Sequence, residues 1–124
     1  MASSPAYAEH PDHEVVIDPE PRFARVSFEG RAVAESQRAR RLDESRCPPR
    51  IYLPREDVDF DLLEPTDHGT WCPFKGQASY HSLRLGDVVA ENAVWSYEDP
   101  FDEVAEIRGH LAFYGEKVTI DSSD

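Results

Sequence analysis

Ala78-Ser-Tyr-His-Ser-Leu-Arg-Leu85 and Val88-Val-Ala-Glu-Asn-Ala-Val-Trp95 are two strand-forming runs that meet across Gly86-Asp87. A Gly-containing pair between two such runs is the sequence form of a β-hairpin. The same reading holds upstream, where Phe23, Val26, Phe28, Val33 and Ala34 flank Glu29-Gly30. It holds again downstream, where Leu111–Tyr114 and Lys117–Ile120 flank Gly115-Glu116. Between these hairpins, Ile51-Tyr52-Leu53 reads as a short strand stopped by Pro54. Ser36–Glu44 reads either as a helical turn or as an arginine-studded edge strand. Arg55–Glu64 reads as a turn followed by a short helix or irregular strand. Thr66-Asp67-His68-Gly69 has turn chemistry, and Thr70–Tyr80, with Cys72-Pro73 and Lys75-Gly76, reads as a loop entering a strand. A short helix is expected from Pro100 to Ile107, with Asp99 as N-cap and Gly109 ending it. Three hairpins and one or two short helices make a mainly β, antiparallel domain.

The 124 residues suit one domain. Residues 1–20 are rich in Pro, Ala, Ser and acids, without a sustained apolar period, and are expected to form a flexible acidic arm, with Val15–Ile17 reading as a short strand that caps it. Residues 21–121 are expected to be the single β-rich domain. No apolar run approaches the roughly 20 residues needed to span a bilayer. The N-terminus has neither the basic start nor the apolar stretch of a secretory signal. A cytoplasmic location follows, with Cys47 and Cys72 as reduced thiols.

The formal net charge is −12. It is unevenly spread: residues 1–21 carry five acids and no Lys or Arg, whereas residues 22–50 carry eight arginines against four acids. Residues 56–124 are again strongly acidic. Such a surface repels a phosphate backbone, so nucleic acid is not an expected partner, and neither is a membrane. The plain reading of the arginines is that they pair with acids of the same fold.

Tests for familiar chemistry exclude more than they admit. No Walker loop or dinucleotide-binding glycine pattern occurs. There is no C-x-x-C, so a structural zinc site is not expected, and the His10 and His13 pair is read as chance. Asp57, Asp59 and Asp61 would share one face of a strand and could hold Mg²⁺ with a nucleotide, but any half-buried strand looks the same. No metal or cofactor is expected. Cys72 is the most suggestive residue. It lies in His68-Gly-Thr-Trp-Cys-Pro-Phe-Lys-Gly76, where Lys75 would favour its thiolate. A buried, inert cysteine fits the same residues. Trp95, Tyr97, Tyr52, Tyr80 and Trp71 suit either a core or the wall of a ligand site.

Several separated segments resemble one family. They are Ser36-Gln-Arg-Ala-Arg-Arg-Leu42, Pro49-Arg-Ile-Tyr-Leu-Pro-Arg-Glu-Asp57, Leu63-Glu-Pro-Thr-Asp-His-Gly-Thr70, Cys72-Pro-Phe-Lys-Gly76, Ala93-Val-Trp-Ser-Tyr97 and Gly109-His-Leu-Ala-Phe-Tyr114. The family is the bacterial domain of unknown function four hundred and twenty-seven. The resemblance implies a β-tent (Mss4-like) topology, without the paired cysteines that hold zinc in many such domains. It also brings a nucleotidyltransferase label, for which no strand–Gly-Ser–helix element is visible. Matching the motifs points to Tyr52, Arg55, Asp57, Thr70, Cys72, Lys75, Gly76, Trp95 and Tyr97. Cys47, where the family tends to an aromatic, is expected to be incidental. The functional expectation is a pocket protein for a small, preferably anionic molecule. Cys72 and Lys75 would do any chemistry, and Tyr52, Arg55, Asp57, Thr70, Gly76, Trp95 and Tyr97 would form the binding wall. The alternatives are a non-catalytic interaction module and, more weakly, a nucleotidyltransferase. Monomer and homodimer are both open.

Overall fold

The computed structural model describes residues 2–123. The chain runs through helix α1 (Ala6–Glu9) and strands β1 (Val15–Pro19), β2 (Phe23–Phe28), β3 (Arg31–Ser36), β4 (Arg40–Glu44) and β5 (Arg50–Tyr52). Two 3-10 turns, Arg55–Asp57 and Phe60–Leu62, lead into β6 (Leu63–Cys72), β7 (Gly76–Leu85) and β8 (Val88–Ser96). A 3-10 segment, Asp102–Ile107, precedes β9 (Leu111–Phe113) and β10 (Thr119–Ser123). The strands form three open sheets, ordered β1-β4-β5, β10-β2-β3 and β6-β7-β8-β9. All their pairings are antiparallel. The fold is therefore mainly β.

Two of the three hairpins stand as read. Glu29 and Gly30 both have positive φ, 50° and 77°, as a two-residue type I′ loop requires. Gly86, at φ 60°, turns β7 into β8. The third pairing differs. β9 joins β8, while β10 crosses to β2, placing Ile120 opposite Val26. This second-sheet position lets Val118 pack against the larger core.

Other expectations shift with tertiary context. The supposed loop at Thr70 is part of β6, and the turn residues 66–68 form an irregularity in its pairing with β7. The real turn is Cys72–Gly76. The helix expected from Pro100 is a kinked 3-10 segment starting at Asp102, with Val104 at φ −123°. Asp99 caps nothing and instead pairs with Arg108. So short a helix has little stability of its own, and burial of Val104 and Ile107 decides its path. The N-terminal residues expected as an arm are packed. The strand read at Val15–Ile17 is β1, which pairs with β4; ahead of it, Ser4 Oγ donates to the Pro73 carbonyl and Tyr7 sits edge-on to Phe74.

There are two cores. Ala24, Val26, Val33, Leu53, Leu83, Val94, Leu111 and Phe113 belong to the larger one, which is aliphatic apart from its phenylalanines. The smaller is aromatic, built on Tyr52, Tyr80, Trp95 and Tyr97 with Leu42, Val104 and Ile107. Strand alternation divides side chains between them. In β9, Leu111 and Phe113 enter the first core while Ala112 enters the second. Leu53 likewise packs in the first and Tyr52 in the second. Reciprocal backbone hydrogen bonds of 2.8 Å between Leu53 and Leu111 tie β5 to β9. This seam carries the aromatic core to the surface.

Candidate functional site

The aromatic core opens into a cavity of about 230 Å³. Its walls come from β4 and β5 (Leu42, Glu44, Arg50, Tyr52), from the β6–β7 turn and β7 (Lys75, Tyr80), and from β8 and beyond (Trp95, Tyr97, Tyr114). Cys47 and Pro48 complete the lining. A larger hollow of about 550 Å³ lies along β6 at Glu64–His68, but it is an open surface groove without buried ionisable groups.

The ionic centre is Glu44. Its Oε1 accepts from Lys75 Nζ and its Oε2 faces His13 Nε2 at 2.8 Å. Burial alone would raise the Glu44 pKa. The hydrogen bond and charge of Lys75, followed by His13, outweigh it and hold the carboxyl below its ordinary range. Lys75 itself is only 7% exposed. The cation expected to serve an incoming anion is thus already balanced within the fold. His13, read as chance, stacks on Phe74 with ring centroids 3.9 Å apart.

The phenols surround this centre. Trp95 Nε1 donates to the Tyr52 hydroxyl at 3.1 Å. Thr70 Oγ1 and Tyr80 Oη lie 3.1 Å apart, and Tyr80 and Tyr114 hydroxyls 3.4 Å apart. Burial pushes the Tyr52 and Tyr97 phenols well up and that of Tyr114 to about 12, so all are neutral hydroxyls at pH 7. Tyr97 is 6% exposed, yet its hydroxyl makes no hydrogen bond among the described residues.

The geometry separates the residues singled out from sequence. Tyr52, Lys75, Trp95 and Tyr97 meet at the cavity. Thr70 reaches it through Tyr80. Gly76 ends the Lys75 turn at φ +114°, a conformation open to glycine and strained for other residues. Cys72 is half-buried and packs behind the aromatic core without lining the cavity, whereas the exposed Cys47 does line it. Arg55 is elsewhere. Its guanidinium pairs with Glu98 at 2.8 Å and lies over Phe60. Asp57 is also elsewhere, accepting from Ser36 Oγ at 2.7 Å and from Arg38. The Ser36 hydrogen bond, with Arg38, outweighs burial and holds the Asp57 carboxyl low. Asp59 accepts from the Asp61 amide and pairs with Arg31, and the three aspartates lie in and between two 3-10 turns instead of on one face of a strand.

Sequence reading passed over Glu44, Arg50 and Tyr114 as site residues. Arg50 and Tyr52 are two apart on β5, so they share a face, and that spacing was the available signal. Glu44 lies 31 residues from Lys75, beyond any local pattern.

Residues 16–123 match the family described as Domain of unknown function (DUF427). The chain belongs to this family. The DUF427 match runs from β1 to β10 and so includes every wall of the cavity, while α1 and His13 precede it. Comparison with the curated proteins finds no match.

Proposed function

We propose that this DUF427 domain binds a small organic molecule in the Tyr52–Lys75–Trp95–Tyr97 cavity. One observation carries the reading: Tyr97 is more than nine-tenths buried at the cavity, yet its hydroxyl has no partner among the described residues. The hydroxyl itself stays accessible from the cavity, since His81 Nδ1 is the one fully buried side-chain polar atom without a partner among the described residues. It can donate to a bound molecule with a net gain of about 1 kcal/mol. The walls are rings with polar tips on rigid strands, the usual composition of a small-molecule site. A volume of about 230 Å³ exceeds the roughly 150 Å³ that holds benzene. It accommodates one ring with one or two substituents. Three open antiparallel sheets also support the β-tent relationship as part of this reading.

Trp71 is 62% exposed and Trp95 buried, so the Trp71→Phe variant reports on the cavity through Trp95 emission alone. Titration with phenol-sized fragments is expected to change that emission saturably. Tyr97→Phe should weaken binding about fivefold, the loss of one neutral hydrogen bond. A folded Trp71→Phe protein whose emission no fragment perturbs would sink the proposal.

A second reading, an interaction module, rests on Trp71 itself. It projects from edge strand β6 against Phe101. A monomer–dimer equilibrium in sedimentation that Trp71→Ala abolishes would support it.

A further inference from the structure

The arginines of this acidic chain are almost all spoken for. Arg22, Arg25, Arg31, Arg38, Arg40, Arg41, Arg55, Arg84 and Arg108 each have a carboxylate partner. Among the described residues, Arg46 and Arg50 have none. Arg46 is exposed on the surface, but Arg50 is half-buried and lines the cavity. Its guanidinium carbon stands 5.4 Å from the Trp95 ring centroid and 6.0 Å from that of Tyr114. It makes no hydrogen bond to a described residue. A chain of net charge −12 has carboxylates in excess, and still this one partly desolvated arginine faces rings alone.

Resting on the cavity reading above, we propose that the occupant is a small monocarboxylate with a one-ring body, its carboxylate held by Arg50. Guanidinium donors are arranged as a planar fork that matches a carboxylate with two parallel hydrogen bonds. The guanidinium stands over the Trp95 ring, a contact that restricts the side chain before any ligand arrives and so lessens the freedom lost on binding. Tyr97 supplies a second donor from the wall. The charge balance selects a monoanion. Lys75 is neutralised by Glu44, leaving Arg50 as the single uncompensated cation of the lining. A dianion such as phosphate would bring a second charge with no partner and set it near the Glu44 carboxylate. A cation is disfavoured because both Glu44 oxygens are already occupied.

The test compares isosteres on the full chain carrying Trp71→Phe, with benzoate and benzamide as probes and inorganic phosphate as a third. Benzoate is expected to bind at least tenfold more tightly than benzamide, and phosphate not to compete. One charge-assisted hydrogen bond is worth about that factor. Arg50→Gln should weaken benzoate far more than benzamide, so that the tenfold advantage disappears, and Arg50→Lys should restore only part of it. If Arg50→Gln does not fold, the benzoate-to-benzamide ratio on the parent decides alone. Equal affinity for acid and amide overturns the carboxylate assignment and leaves the cavity reading standing. The same holds if neutral fragments bind and benzoate does not, or if phosphate displaces benzoate. If neither acids nor neutral fragments bind, both fall together.

Discussion

Glu44 decides how the cavity is charged, and its behaviour can be tested apart from any ligand. Its side chain is 12% exposed and that of Lys75 9%, so breaking the pair strands a charge away from water. Lys75→Met keeps the apolar stem and removes the ammonium. It is expected to lower stability by about 3 kcal/mol in denaturant unfolding. Adding Glu44→Gln to that variant should recover more than half of the loss, because the stranded charge goes too. A pH prediction follows with a definite sign. The folded state holds the Glu44 carboxyl below its ordinary range, so it binds that proton more weakly than the unfolded chain. The stabilisation is complete above about pH 4.3, the unfolded value, and is lost as pH falls through the folded one. The difference in denaturant midpoint between the parent and Glu44→Gln should therefore narrow from neutral pH to about pH 3. A constant difference across that range would show that the carboxylate contributes through packing alone. At this scale the sequence was partly readable. Tyr52, Lys75, Trp95 and Tyr97 could be picked out because they lie in the segments that resemble the family. Arg55 and Asp57 carried the same kind of signal, yet they serve surface ion pairs, because nothing local reveals which face of a short element will be covered.

Elements were most legible where the loop is short and its chemistry strict. Glu29-Gly30 and Gly86-Asp87 specify hairpins because only certain residues tolerate positive φ, and the paired strands adjoin in sequence. β10 illustrates the opposite case. Its partner β2 lies nearly the whole chain away, and Gly115 offered a nearer and plausible partner in β9. Long-range pairing is settled by which face can be buried, and that is not a local property. The Cys72–Gly76 turn is the element on which the cavity depends most, since it carries Lys75 between β6 and β7. Gly76 has φ +114°, outside the left-handed well that non-glycine residues visit, and an added Cβ would lie 3.6 Å from the Asp99 carbonyl oxygen. Gly30 has φ +77° and open space around it. Gly76→Ala is thus expected to cost about 2–3 kcal/mol and Gly30→Ala about 1 kcal/mol in thermal or denaturant unfolding. Equal costs would mean that the β6–β7 turn relaxes freely and does not hold Lys75 in place.

At the scale of the whole molecule, the charge pattern reads as an internal balance: most arginines pair with carboxylates of the same or adjoining elements, and among the described residues Arg46 is left at the surface and Arg50 at the cavity. Among the described residues no helix is long and apolar enough to cross a membrane. The N-terminal segment is where composition misled most. Its Pro, Ala, Ser and acidic content resembles that of unstructured chain, because it has too few apolar residues to make a core. It does not need one, since it borrows an existing surface. Ser4 Oγ donates to the Pro73 carbonyl, the Tyr7 hydroxyl donates to the Phe74 carbonyl at 2.9 Å, and His13 meets Glu44. On its other side the Ser4 amide donates to Glu103 and the Asp102 amide to the Ala2 carbonyl. The segment therefore staples the Lys75 turn to the 102–107 segment. Residues 1–13 lie ahead of the family match, so the sheets should form without them. Deleting residues 1–13 is expected to preserve the β-type circular dichroism spectrum and to lower stability by about 2–4 kcal/mol. That is the worth of one charge-assisted hydrogen bond and one aromatic contact together with smaller bonds. Amide exchange should quicken at Phe74 and Lys75 in the turn, with little change at Val94 and Trp95 in β8, because the loss is local to what the segment covers. His13→Ala alone should give a fraction of the stability loss and the same local exchange pattern. An unchanged exchange rate at Lys75 in the truncated protein would show that β6 and β7 hold the turn by themselves, and that the segment covers the cavity's ionic centre without supporting it.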